Sequence, residues 1–308
     1  MSKIKTFFLA LLLIPICLQA KPIKAVTTDN GGGRLGDQLI GYLHAKWISH
    51  KYGIPLLLNP FPYADQLMLY YTEKHLSPDD YQKYGKVFQP KKGSKINYNE
   101  KISALYIIPY FPEAKSEYKP KNNWYYFPVD WKDKKFKSKI QQLIKPINWQ
   151  PYLTLPTDRT TVAVHVRQGG GFDSVDTWKG FPLKLPPESY YVEQIKNIYS
   201  LLGNSPLYIY VFTDDKHPEQ IVERFTEATN HLDIEYGCRL EGNTHDANVL
   251  EDLFEMTRFD CLIRPESNYS IVASKIGNYK IVISPVHFTW VNSNFGYVDE
   301  VEIEDFRK

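Results

Sequence analysis

A histidine and an arginine two residues apart, followed by three glycines, stand in the run His165-Val166-Arg167-Gln168-Gly169-Gly170-Gly171. Arginine presents a rigid fork of donors that matches phosphate oxygens. Glycine lets backbone N–H groups approach a bulky anion closely. The residues just before, Val162-Ala163-Val164, carry no polar break, which predicts a short strand buried on both faces. In open α/β sheets ligands bind beyond the carboxyl ends of the strands. The chemistry this pattern predicts is binding of an anion, most naturally a nucleotide diphosphate. The plainer alternative is a buried strand ending in a surface turn, with Arg167 in a structural ion pair.

Three further segments carry chemistry-bearing residues. Gly31, Gly33 and Gly36 form a G-x-G-x-x-G turn between a strand expected over 23–28 and a helix expected over 37–52. Leu39, Leu43 and Trp47 share one face of that helix, and Gly53 stops it. A dinucleotide site of this type also calls for an acidic residue after the second strand. The strand expected over 54–58 ends instead in Leu58-Asn59-Pro60, which disfavours an NAD-dependent oxidoreductase and keeps it as an alternative. Asp214 and Asp215 end a strand expected over 207–213, where capping of the helix at Pro218 is their ordinary use. Ser267-Asn268-Tyr269-Ser270 opens a helix running through Ile276, and there too capping is the ordinary role. No His/Cys cluster has ligand spacing, so no metal site is expected.

These segments must be positioned by an α/β fold. The 308 residues are enough for about two domains. Hydrophobic residues make up 43% and charged residues 23%, the composition of a globular protein, and a net charge of +2 argues against a nucleic-acid partner. Lys3 and Lys5 precede an apolar run over 7–16 that is short for a membrane span, with Ala20 as a cleavage point before Lys21. Residues 1–20 are therefore expected to be a signal peptide, making the protein exported or membrane-associated, with a cytoplasm-facing anchor as the alternative. Cys238 and Cys261 remain beyond it, either as a disulfide or as free thiols. Over 61–150 the pattern is weak: a strand at 101–109, a helix at 134–144, a solvated loop from Lys91 to Lys95, and an aromatic cluster Trp124-Tyr125-Tyr126-Phe127. Residues 151–161 read as a linker. Beyond the strand at 162–166, helices are expected at 187–202, 218–229 and from a cap at Asp246, and strands at 234–236, 261–264 and 280–284. Strands alternating with helices mean a mostly parallel sheet. The expected division is 21–155 as an N-terminal α/β domain and 156–308 as a C-terminal one, with a cleft between.

Taken in order, the motifs resemble a known family. Gly33-Arg34-Leu35-Gly36-Asp37-Gln38 looks like the G-x-G-N-Q segment of GDP-fucose-dependent fucosyltransferases, and His165-Val166-Arg167-Gln168-Gly169 resembles their H-x-R-x-G motif. Phe212-Thr213-Asp214-Asp215 and the run from Glu251-Asp252-Leu253 to Ser267-Asn268-Tyr269-Ser270 resemble their later donor-site segments. Order and spacing are similar to the α-1,2-fucosyltransferase and protein O-fucosyltransferase superfamily. The resemblance implies a GT-B-like fold of two Rossmann-type domains facing a cleft. It implies an inverting, metal-independent transfer of fucose from GDP-fucose to a glycan or protein hydroxyl, with no cofactor beyond the donor. It places Arg167 on the β-phosphate, His165 against the nucleotide, Asp214 or Asp215 near the guanosine, and Ser267 and Ser270 toward phosphate. Gly33, Gly36, Gly169 and Asp173 complete the expected donor site. Asp37 stands where relatives commonly carry Asn, so it is either a general base or a helix cap. Gln168 replaces a second Arg found in many α-1,2 enzymes, and two extra glycines separate it from Asp173. A non-catalytic exported carbohydrate- or nucleotide-binding protein on the same scaffold is the alternative function.

Overall fold

A computed structural model of the chain describes residues 24–84, 87–88, 103–108, 129–169, 179–244 and 246–307. The expected signal segment, the 91–95 loop, the aromatic cluster at 124–127, Gly170, Gly171 and Asp173 lie outside these residues. Among the described residues no helix is long and apolar enough to cross a membrane.

The chain is mixed α/β, and its largest element is a six-stranded sheet in the order β11-β10-β9-β6-β7-β8. These strands are β6 (Thr160–Val166), β7 (Leu207–Thr213), β8 (Ile234–Cys238), β9 (Cys261–Ile263), β10 (Ile281–Asn292) and β11 (Phe295–Asp305). All neighbours pair in parallel except β10 with β11. The unbroken apolar run of β6 is explained by burial on both sides. Val162, Val164 and Val166 pack with Tyr191, Ile195 and Ile198 of α5 (Glu188–Leu201) and with Ile221 and Phe225 of α6 (Pro218–Ala228). Ala163 faces the other way, into a core with α7 (Val249–Met256), α8 (Asn268–Ile276) and the N-terminal elements.

The N-terminal elements begin with β1 (Lys24–Thr28) and α1 (Leu35–Tyr52). β1 pairs in parallel with β5 (Ala104–Ile108), which pairs in turn with β4 (Val87–Phe88). A two-stranded ladder joins β2 (Leu57–Leu58) to β3 (Lys74–His75). Short helices α2 (Met68–Thr72) and α3 (Pro78–Tyr84) follow, and α4 (Lys134–Leu143) begins at a true cap, Asp133, which accepts the N–H groups of Lys135 and Phe136. From Leu35 to Ile48 α1 is buried on nearly every side, which is why its apolar face is broad rather than a stripe. One apolar cluster runs from Val26, Leu39 and Leu43 through Leu253, Val272 and Leu262 to Ala163, so α1 and the large sheet share a core.

Several elements differ from expectation. α1 starts at Leu35, not at 37, so Asp37 is its third residue and not its N-cap; Arg34 takes that position. The strand expected over 54–58 shrinks to β2, because Pro55 has no N–H to give, although its carbonyl accepts the Val26 N–H at 3.0 Å. The strand expected to end at 284 continues to Asn292 and returns as β11, a hairpin whose register shifts near Pro285 and His287 hide the alternation. The helix expected from a cap at Asp246 starts at Val249, after Asn248 in a left-handed conformation. Asp246 instead accepts a hydrogen bond from Thr244. The segment expected as a linker is fastened. Tyr152 gives its N–H to Glu255 and its hydroxyl to Asp252, and Arg258 donates to the Leu153 carbonyl. Both remaining cysteines are free thiols, and burial pushes the Cys261 thiol up to about 12.

Candidate anion site

The carboxyl end of β6 places His165 inside and Arg167 at the edge of the molecule. His165 is the last inward-facing residue on the side shared with α1 and α8. Its ring lies 5.6 Å from that of Tyr269. Burial, then the charges of Arg167, Arg34 and Arg264, hold its imidazole down to about 3. It therefore stays neutral at physiological pH. Arg167 follows two residues later, half-buried, and its guanidinium donates to the Ser267 hydroxyl at 3.3 Å. Ser267 is itself buried and is the residue that precedes α8. Gly169, at φ 93°, turns the chain after the strand.

Two helix N-termini meet at this point. Gly36 in the first turn of α1 touches the first turn of α8. A Cβ there would stand 2.7 Å from the Tyr269 Cα and 2.8 Å from the Asn268 carbonyl carbon. Asp37 stitches the contact: one carboxylate oxygen accepts the Arg34 N–H at 2.9 Å and the other accepts the Asn268 side-chain amide at 2.6 Å. Gly33, at φ 74°, shapes the turn, and the Gln38 amide donates to the Gly32 carbonyl. A helix N-terminus leaves N–H groups unpaired and carries a partial positive charge. Two such ends, with Arg34, Arg167 and Arg264 close enough to act on one histidine, make a place that favours negative charge, part of which the Asp37 carboxylate already supplies.

The other expected residues divide. Asp214 accepts the Gln168 N–H at 2.7 Å, tying the loop after β6 to the end of β7. Asp215 accepts the His217 N–H at 2.8 Å, closing a turn just before α6 and not capping the helix, whose N-cap is His217. Ser270 is fully buried and donates to the Ser267 carbonyl at 3.3 Å, so its hydroxyl is spent inside its own turn. The position that a dinucleotide site would fill with an acid holds Asn59. Its amide donates to the Thr28 carbonyl at 3.1 Å, while Asn30 donates to the Asn59 carbonyl at 2.7 Å. That reciprocal pair locks the ends of β1 and β2 together.

Sequence reasoning missed Arg264. It read as the polar end of a strand, and nothing local signals that it is buried. Among the described residues no cluster of three or more His, Cys, Asp or Glu side chains is arranged to hold a metal ion. A separate cavity of about 610 Å³ is lined by Trp47, His50, Lys51, Val129, Asp130 and Asp133. It sits at the C-terminal end of α1, roughly 20 Å from Asp37 at 1.5 Å per residue.

No protein-family profile matches the sequence, and no curated protein sequence matches it. Solved structures do resemble it. FUT1 of Arabidopsis thaliana in complex with GDP is 12% identical, covers 86% of this chain and 71% of its own, and superimposes with a TM-score of 0.48. NodZ, an alpha-1,6-fucosyltransferase soaked with GDP-fucose, is 11% identical over 92% of this chain and 99% of its own, with a TM-score of 0.42. POFUT1 in complex with GDP is 14% identical over 82% and 94%, with a TM-score of 0.39. Likeness at this level is similarity to those proteins, and the functional reading rests on this chain's own residues.

Proposed function

We propose that the chain is a glycosyltransferase that moves fucose from GDP-fucose to a hydroxyl of a glycan or protein. The observation that carries this reading is Arg167 reaching Ser267 where the N-termini of α1 and α8 converge. In such a transfer the bond from the sugar carbon to the β-phosphate oxygen breaks as the acceptor hydroxyl attacks from the opposite face, inverting that carbon and releasing the hydroxyl proton to solvent. Negative charge gathers on the departing diphosphate. The Arg167 fork and the helix N–H groups offset that charge without a metal ion. Neutral His165 shapes the floor beneath the nucleotide. Asp214 holds the β6 loop in place from the next strand, and its exposed remainder suits the donor N–H groups of guanine. Asp37 is assigned to clamping the two helices, since both its oxygens already accept hydrogen bonds.

In this reading the fold is GT-B-like. Residues 21–155 form the acceptor side and 156–308 the donor side, and the N-terminal segment directs export or membrane association. The test is incubation with GDP-fucose and a panel of glycans and peptides, following released GDP and the fucosylated product. Product formed from GDP-fucose supports the reading. GDP binding without turnover on any acceptor would leave the non-catalytic binding protein, and no binding of GDP or GDP-fucose would refute the proposal.

A further inference from the structure

Arg264 comes directly after β9, whose register with β6 sets Ile263 beside Val164. One step further along both strands, Arg264 lies beside His165. Matched positions on neighbouring strands point to the same side of a sheet. The preceding matched pair, Ala163 and Leu262, belongs to the core shared with α1, α7 and α8. His165 and Arg264 therefore stand on the face where the two helix N-termini meet.

Arg264 is only 8% exposed. One of its terminal nitrogens donates to the Pro265 carbonyl at 3.2 Å, but its Nε has no partner. Among the described residues no carboxylate comes within ion-pair distance, although Glu266, Glu302 and Glu304 are near enough to be felt. The Nδ1 of His165 is also buried without a partner. A buried guanidinium that lacks a carboxylate is costly, and so is a buried polar nitrogen left without a partner. At adjacent strand ends, with Arg167 two residues beyond His165 on the same face, the free Arg264 Nε–H is placed to donate to an anion's oxygen.

We infer that Arg264 is a second anion-binding guanidinium of this site, holding one phosphoryl group of a diphosphate while Arg167 holds the other. The inference rests on the donor-site reading of Arg167, and it adds a residue from a different strand. Two forks on adjacent strands fit a diphosphate better than a single phosphate, so the site selects for ligands with two linked phosphoryl groups.

Calorimetric titration of the full chain with GDP and with inorganic pyrophosphate tests this, comparing wild type with Arg264→Met. Methionine keeps an unbranched apolar stem and removes the charge. The expected result is a loss of about tenfold or more in affinity for both probes, as for a charge-assisted hydrogen bond. Thermal stability should be unchanged or higher, because an uncompensated buried charge is gone. Unchanged affinity together with lower stability would make Arg264 a structural cation balanced by Glu302 and Glu304, and would overturn the inference while leaving Arg167 and the donor reading intact. Wild type that binds pyrophosphate but not GDP would refute the nucleotide reading, and loss of pyrophosphate binding in Arg264→Met would still support Arg264. Binding of neither probe by wild type overturns both. Should Arg264→Met not fold, Arg264→Lys, which keeps charge and loses the fork, is expected to weaken both probes at least threefold, by the same charge-assisted contact; unchanged affinity would overturn the inference.

Discussion

Two glycines of α1 should respond to the same substitution with opposite signs. Gly36 faces backbone: an added Cβ would sit 2.7 Å from the Tyr269 Cα and 2.8 Å from the Asn268 carbonyl carbon, and neither can swing aside as a side chain can. Overpacking of this kind costs about 1–3 kcal/mol. Replacing a helical glycine by alanine returns about 0.5–1 kcal/mol. Gly36→Ala should therefore lose up to about 2.5 kcal/mol net, and it should push apart the helix ends on which the anion site depends. At Gly41, five residues on, the nearest atom to an added Cβ is the Thr28 Cγ2 at 3.8 Å, an ordinary contact. Gly41→Ala gains the same helix propensity plus about 0.8 kcal/mol for a buried methyl group, so it should stabilise by about 1.3–1.8 kcal/mol. Urea unfolding measures both effects, and titration with GDP shows whether only Gly36→Ala weakens the ligand. If Gly36→Ala is as stable as wild type and binds GDP equally well, the two helix N-termini do not meet as described.

Three further outcomes follow from individual contacts. Asp37→Asn keeps an acceptor for the Arg34 N–H and loses one for Asn268, so it should cost about 1 kcal/mol of stability while kcat stays within about tenfold. A fall in kcat of about 10²-fold or more in steady-state assays would return Asp37 to the role of general base. Arg167→Lys keeps the charge and loses the fork. It should forfeit about 2–4 kcal/mol of transition-state stabilisation, seen in kcat more than in KM, with little change in melting temperature; a large drop in melting temperature with normal GDP affinity would mark a structural arginine instead. The His165 imidazole is held down to about 3, against about 6.5 in the unfolded chain, so unfolding takes up a proton between these values. Its contribution to stability is complete above about pH 6.5 and is lost as pH falls toward 3, by up to about 1.4 kcal/mol per pH unit. Urea melts of wild type and His165→Gln across that window should converge as pH falls; parallel curves would show that His165 does not titrate this way.

How legible an element was depended on how local its causes are. The strand Leu207–Thr213 could be read to the residue, because six successive apolar or aromatic positions before Thr213 leave no other pattern. The helix Lys134–Leu143 was legible from its amphipathic period and from Asp133 before it. The start of α1 was not, because its N-cap is Arg34, a residue that seldom caps, and the contacts that fix the first turn come from Asp37 and from α8. The hairpin of β10 and β11 was half-missed, since a proline and register shifts interrupt the alternation that marks a strand. In the site, motif order set His165, Arg167 and Ser267 in one expected donor site, and the structure brings Arg167 onto Ser267 and His165 against Tyr269. The division of labour between Asp214 and Asp215, or between Ser267 and Ser270, depends on which way each side chain turns, and residue type alone carries no information about that.

Arg264 shows where local reading stops. An arginine after a short strand is ordinary in sequence, and its meaning comes from two long-range facts. The register of β9 on β6 puts it beside His165, across a separation of 99 residues in the chain (165 to 264). The first turn of α1 closes over the same point through the Asp37–Asn268 hydrogen bond, which spans 231 residues. The first contact gathers arginine charge and the second joins two helix N-termini beside it, in a chain whose net charge is only +2, so the concentration is a product of folding and not of composition. A protein that spends stability to hold buried guanidinium and helix N-termini together recovers it when an anion arrives, because a ligand that binds only the folded state stabilises it by RT ln(1 + [L]/Kd). At a hundredfold excess over Kd that amounts to about 2.7 kcal/mol. The residues that hold positive charge together here are thus the ones the diphosphate proposal depends on, and folding and recognition draw on one set of contacts.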